Sequence, residues 1–162
     1  MIVSIGEALM ASDKPASKAL ITAYRLSQMG ESTMFVGPVA DDEQGMKILE
    51  FLIDNCIFFD PVFCKENRFR KEKLEGVFDL NDDISVVVVS GECLKDRDTT
   101  DTIYSVLKEQ KGVKIFLNAV GNPEILKSEL AGICCMVRTS ENEEDDYDAR
   151  VAASLQNGAD EV

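Results

Sequence analysis

The sequence contains no histidine. That absence removes Ser-His and Cys-His nucleophile pairs and the commonest metal ligand. The cysteines, Cys56, Cys64, Cys93, Cys134 and Cys135, are odd in number and lack C-x-x-C spacing, so neither a disulfide framework nor a zinc site is indicated. Four of them sit among apolar residues, as small hydrophobes would. Positive charge is scarce: 17 Lys and Arg face 30 Asp and Glu, a formal charge of -13 that repels phosphate backbones and anionic lipid surfaces. Neither nucleic acid nor a membrane is an expected partner. No apolar run approaches the length that spans a bilayer, and the start "MIVSIGEALM" lacks the basic residues and long apolar stretch of a secretory signal. A cytoplasmic protein is expected. The glycines of "SGECLKD" and "GVKIF" stand singly, so no glycine-rich phosphate loop is present there.

What the sequence does contain is an alternation of buried-strand and helix patterns. Its 162 residues suit one domain, 1–162, that buries roughly two-thirds of the surface an unfolded chain exposes. "IVSI" precedes "ASKALITAYRLSQMG", in which Leu20, Ala23, Tyr24 and Ser27 fall at helical spacing and Gly30 supplies the stop. "TMFV" leads through "GPVADDEQG" into "MKILEFLIDN", with Ile48, Leu49 and Leu52 on one face. The β-branched run "ISVVVVSG" fits a strand covered on both faces of a parallel sheet. "TTDTIYSVLKEQKG" predicts a helix capped by Thr99 or Thr100, "VKIFLNA" a strand, "NPEILKSELAG" a short helix, "ICCMV" a strand and "YDARVAASLQNG" a last helix. Between Phe58 and Asp83 apolar and charged residues alternate, which suggests short antiparallel strands, an excursion or lid outside the main sheet. The expected class is α/β: about five mainly parallel strands with helices on both faces.

The order strand, "GE", helix ending in "RLSQMG", then "FVGPVADDEQG" and "ILEFLIDN" resembles the N-terminal half of the ribokinase-like, or PfkB, carbohydrate kinase family. Gly37, Asp41, Asp42 and Gly45 stand where that family has its G-x-V-G-D-D-x-x-G segment. "IFLNAVGNPEIL" is similar to the family's Asp-Pro-Asn-x-Arg strand end, and "MVRTSENEEDDY" to its Lys-Pro-Asn-Glu-x-Glu stretch. The resemblance covers nearly the whole chain but about half of the family's usual length. It implies a truncated, degenerate relative, because the half with most of the nucleotide site and the Gly-Ala-Gly-Asp anion hole has no counterpart.

Carried across in register, the family's sugar-contacting positions are altered: its Asp falls on Ala11, its Gly-Gly pair on Ser12 and Asp13, its Asn on Ser17. Asp13, Lys14 and Ser17 retain hydrogen-bonding capacity toward a polyol, while Ser12 or Asp13 before Pro15 is equally what a helix cap supplies. In "FLNAVGNP" the family's acid and arginine are replaced by the neutral Asn118 and Asn122, Asn118 remaining a candidate substrate contact. "DDEQG" reads as a capping box from Asp41 to Gln44. "SENEEDDYD" holds six carboxylates, and Glu143 falls on a family position that helps organise magnesium and phosphate; Ser140-x-x-Glu143 is also a capping box with an acidic, solvated helix start.

The resemblance implies ATP and magnesium as cofactors of the family, whereas none is expected for the chain alone, which lacks the base and anion hole that phosphoryl transfer needs. The expected function is binding of a partner, or of a small ligand such as a sugar or nucleoside. The alternative is the substrate half of an ATP-dependent sugar or nucleoside kinase completed by another chain. With no strand after Val162, Ile133 to Val137 becomes an apolar sheet edge, and a homodimer that covers it is expected.

Overall fold

In a computed structural model of the chain, residues 1–60, 62–63, 69–140 and 146–158 are described. Six strands form one parallel sheet. In chain order they are β1 (Ile2–Ile5), β4 (Thr33–Val36), β6 (Phe58–Phe59), β8 (Val86–Ser90), β9 (Lys114–Asn118) and β10 (Met136–Arg138), arranged β10-β9-β8-β1-β4-β6. Every pairing in that sheet is parallel, with Val3 opposite Met34 on one side and Val87 on the other, and Val88 opposite Phe116.

The strand period of two sends alternate side chains to opposite faces, and both faces are covered. Val3, Ile5, Val87, Val89, Ile115 and Leu117 pack under α3 (Lys71–Leu80), α4 (Arg97–Leu107) and α5 (Glu129–Gly132). Ile2, Phe35, Val86, Val88 and Phe116 meet α1 (Lys18–Gln28), α2 (Glu43–Asp54) and α6 (Tyr147–Gln156). β8, with all five residues buried, lies inside the sheet as its unalternating β-branched run requires.

The strands expected at "IVSI", "TMFV", "SVVVV" and "KIFL" are all present, and the parallel pairing of β8 with β9 matches the expected architecture. The region 58–83 differs. Phe58–Phe59 joins the main sheet parallel to β4 as a sixth strand, Val62–Phe63 (β7) pairs parallel with Pro38–Val39 (β5), and Lys71–Leu80 is helix. Leu74, Val77 and Phe78 give α3 its buried face at helical spacing, a period masked by the charges around it. The small antiparallel pair lies elsewhere, joining β2 (Met10–Ala11) to β3 (Lys14–Pro15). "ICCMV" is strand only from Met136 onward, because Ile133 closes α5; β10 does lie at the sheet edge.

Helix caps also shift. Asp42, not Asp41, caps α2 by accepting from Gly45 N at 2.8 Å. Asp96, not Thr99 or Thr100, caps α4 by accepting from Thr99 N at 2.8 Å. Helix α6 starts at Tyr147 after Asp146, which makes no side-chain cap bond, and the expected partner Glu143 lies outside the described residues. Gly37 has a packing reason: a Cβ there would stand 2.0 Å from the carbonyl oxygen of Gly6.

Candidate functional site

The sheet order reverses direction between β1 and β8. The chain leaves β1 for α1 on one face and leaves β8 for α4 on the other, so the loops diverge and open a crevice at the carboxyl ends. A cavity of about 600 Å³ lies there. Glu7 and Leu9 line it after β1, Ala16, Ser17 and Lys18 at the start of α1, Gly91, Glu92 and Lys95 after β8, and Val120, Gly121 and Asn122 after β9.

Local hydrogen bonds fix most of this wall. Ser17 occupies the N-cap position of α1, yet its hydroxyl does not cap the helix. Its Oγ donates to Glu7 O at 2.6 Å and accepts from Leu9 N at 3.2 Å, tying down the segment after β1. The α1 amide of Lys18 donates instead to Glu92 Oε2 at 3.0 Å, a cap brought from the far side of β8. Glu92 rides on a 3-10 turn, Gly91–Cys93, where a Cβ on Gly91 would lie 2.6 Å from Asn118 O. Asn122 pins that turn by donating from Nδ2 to Gly91 O at 3.1 Å and Leu94 O at 2.9 Å.

Across the mouth Lys95 Nζ lies 3.4 Å from Glu7 Oε1; with the Lys95 side chain 72% exposed, this pair contributes about 0–1 kcal/mol. Beneath it, Cys93 donates from Sγ to Ser90 O, and burial, followed by the nearby Glu7 charge, pushes its thiol above the ordinary range. Cys93 is therefore a packed side chain rather than a nucleophile. Burial also pushes the Cys134 thiol up to about 12, with the neighbouring Cys135 adding to it. Cys56 and Cys135 are exposed, contrary to the expectation from their apolar neighbours. Among the described residues, Ser90 Oγ is the buried side-chain oxygen without a hydrogen-bond partner, directly before Gly91 in the cavity wall.

A second polar group lies at the ends of β9 and β10. Asn118 Nδ2 donates to Asp148 Oδ2, and Asn118 Oδ1 accepts from Val120 N at 3.0 Å. Asp148 Oδ1 accepts from Arg138 Nη1 at 2.6 Å; Arg138 also donates from Nε to Ser140 O at 3.0 Å and lies 4.6 Å from the Tyr147 ring centre. Asn118 is 1% and Asp148 5% exposed. These bonds fasten β9, β10 and α6 to one another.

The sequence-derived candidates are thus dispersed. Asp13 and Lys14 are exposed on the β2–β3 hairpin, neither lines the cavity, and Ser12 and Asp13 form its turn rather than a helix cap. Ser17 lines the cavity with its hydroxyl engaged, and Asn118 is engaged with Asp148 below the lining residues Val120 to Asn122. Glu143 lies outside the described residues, and among the described residues no group of three or more His, Cys, Asp or Glu is placed to hold a metal ion. Sequence reasoning passed over Glu7, Glu92 and Lys95. One signal marked the first two: of the three Gly-Glu pairs, Gly30-Glu31 follows α1, whereas Gly6-Glu7 and Gly91-Glu92 each follow an apolar strand, at the carboxyl end of the two adjacent strands that frame the crevice.

No family profile and no curated protein matches the sequence. Solved structures do. A fructokinase with bound ATP from Xylella fastidiosa superposes with a TM-score of 0.69 at 18% identity, over 98% of this chain and 66% of that one. An uncharacterized sugar kinase from Pyrococcus horikoshii gives 0.63 at 14% identity, over 85% of this chain and 64% of that one. Adenosine kinase from Schistosoma mansoni, in complex with adenosine, gives 0.65 at 13% identity, over 85% and 50%. This chain therefore spans between half and two thirds of their lengths. No described helix is long and apolar enough to cross a membrane. The parallel six-stranded sheet, its helices on both faces and these superpositions give the chain the ribokinase-like fold of PfkB-type sugar kinases.

Proposed function

We propose that this chain binds a small polyhydroxylated ligand, of the sugar or nucleoside class, in the crevice between the ends of β1 and β8. The observation that carries this reading is the cavity of about 600 Å³ at the point where the sheet order reverses. Its polar lining suits hydroxyl groups: the carboxylates of Glu7 and Glu92 accept from them, and Lys18 and Lys95 donate to them. The adenosine-bound and sugar-kinase neighbours support the ligand class by likeness of fold.

Binding without phosphoryl transfer is the favoured form of this reading. Transfer from ATP needs a phosphate cradle, a cation and a base on the acceptor hydroxyl. In the crevice Glu92 is hydrogen-bonded to the Lys18 amide and Glu7 faces Lys95, and neither carboxylate is set as a base beside a phosphate-binding loop. The test is a titration of 15N-labelled protein with ribose, fructose and adenosine at millimolar concentration. Shifts at the amides of Lys18, Gly91 and Gly121 are the expected result; no shift, or shifts confined to other surfaces, overturns the reading.

A second reading makes the chain the substrate side of an ATP-dependent kinase whose nucleotide and magnesium sites come from another chain. The superposition on the ATP-bound fructokinase, over 98% of this chain and 66% of that one, supports it by likeness of fold. We further propose that two copies associate at the outer edge of β10, where half-buried Met136 and Val137 flank the sheet end. Light scattering after gel filtration should give a dimer that Met136→Lys converts to monomer; a monomeric wild type at high concentration rejects this association.

A further inference from the structure

We propose that Glu92 is an internal anion that bars phosphate esters and other anionic ligands from the crevice and so sets its preference for uncharged ones. The proposal rests on the reading of the crevice as a polyol site and adds the residue that decides which polyols enter. Helix α1, with 11 residues, points its N-terminus into this cavity wall. A helix start presents unpaired N–H groups and a partial positive charge, which makes it the place where an incoming phosphate gains most. Here the Glu92 carboxylate is already there, 3.0 Å from Lys18 N.

Three features hold it in place. Ser17, the side chain that would ordinarily cap the helix, is turned back onto Glu7 and Leu9 and offers no competing oxygen. The turn that carries Glu92 is fixed by Asn122 on both sides, by the close approach of Gly91 to Asn118 and by buried Cys93. Charges in the lining balance in number, Glu7 and Glu92 against Lys18 and Lys95, and Lys18 and Glu92 are both half-buried; what sets Glu92 apart is that its carboxylate sits on the α1 amide itself, whereas Lys95 is largely exposed. A phosphate ester therefore meets a fixed carboxylate at the one helix start it seeks. A neutral hydroxyl meets an acceptor.

The experiment compares wild type with Glu92→Gln, whose amide oxygen still accepts from Lys18 N–H but carries no charge, and with Glu92→Ala as a second variant should the first perturb folding. Ribose and fructose, their monophosphates, and inorganic phosphate alone are titrated while the Lys18 amide is followed by NMR. In wild type the monophosphates should bind more weakly than the sugars. In Glu92→Gln the ratio of the two Kd values should fall by about five- to thirtyfold, the worth of a partly buried charge at a helix start. Inorganic phosphate should also shift Lys18 in the variants and not in wild type. A change in the ratio below about twofold, or equal phosphate binding by wild type and both variants, overturns the role of Glu92. If no sugar binds to any of the proteins, the polyol reading fails, and the inorganic phosphate arm still decides whether Glu92 excludes anions.

Discussion

Asp148 gives the sharpest test of how the site region is held together. Its carboxylate takes one hydrogen bond from Asn118 and one from Arg138, the latter at 2.6 Å, while the Arg138 side chain is only 11% exposed. Asp148→Ala removes the shared acceptor and leaves the guanidinium in a poorly solvated site. Breaking one side of such a pair costs about 3–5 kcal/mol. Arg138 retains Ser140 O and the Tyr147 ring, which places the expected loss near the lower end, about 3 kcal/mol. Against a typical total stability of about 5–15 kcal/mol, that is a large share.

Urea unfolding followed by circular dichroism measures it, provided the slope with denaturant is unchanged. The double variant Asp148→Leu with Arg138→Met should recover most of the loss, because replacing both partners by apolar groups of similar volume is often neutral. A loss below about 1 kcal/mol for Asp148→Ala would refute the reasoning and return Asn118 to the set of groups available to a ligand.

The remaining predictions concern neighbouring positions. Asn118→Asp should set two buried carboxylates against each other and raise a pKa; the native state then holds a proton the unfolded state has released, so stability falls as pH rises, and a variant equally stable across the mildly acidic to neutral range contradicts this. Asp96→Ala should cost about 1 kcal/mol by uncapping α4. The Thr99 backbone N–H holds the Asp96 carboxyl below its ordinary value of 3.8, so its contribution is full above that value and lost as pH falls through the folded pKa; urea melts of Asp96→Asn should lack this acid-side loss. Ser90→Ala should leave stability unchanged or raise it by up to about 1 kcal/mol, since it removes a buried hydroxyl without a protein partner; a clear loss on thermal unfolding would show that the hydroxyl is satisfied after all.

How much of this was legible in the sequence follows from the range over which each signal acts. Buried parallel strands announce themselves locally: Val86 to Val89 and Ile115 to Leu117 are apolar runs with no other economical reading. Phe58–Phe59 is too short to show a period, and α3 hides Leu74, Val77 and Phe78 among six charged residues of the segment Lys71 to Asp79 and the flanking Arg70. The caps of α2 and α4 missed by one to four positions because acidic and hydroxyl residues run together there, and only backbone geometry decides which one stands outside the helix.

The site was less legible for a different reason. Ser17 and Asn118 were singled out because they are polar where a ligand was expected, but a polar side chain that folding buries must first be satisfied by the protein itself. Ser17 is satisfied by Glu7 and Leu9, and Asn118 by Asp148 and Val120. Their presence near the crevice is thus the consequence of building it. The groups with capacity left to meet a ligand are those on its rim, Glu7, Glu92, Lys18 and Lys95. Glu92 and Lys18 are separated by 74 residues and meet only because β8 pairs directly with β1. No local pattern can report that contact, whereas the repeated Gly-Glu after two buried strands can: once the strands are known to be adjacent and parallel, their carboxyl ends must bring both glutamates to the same side of the sheet.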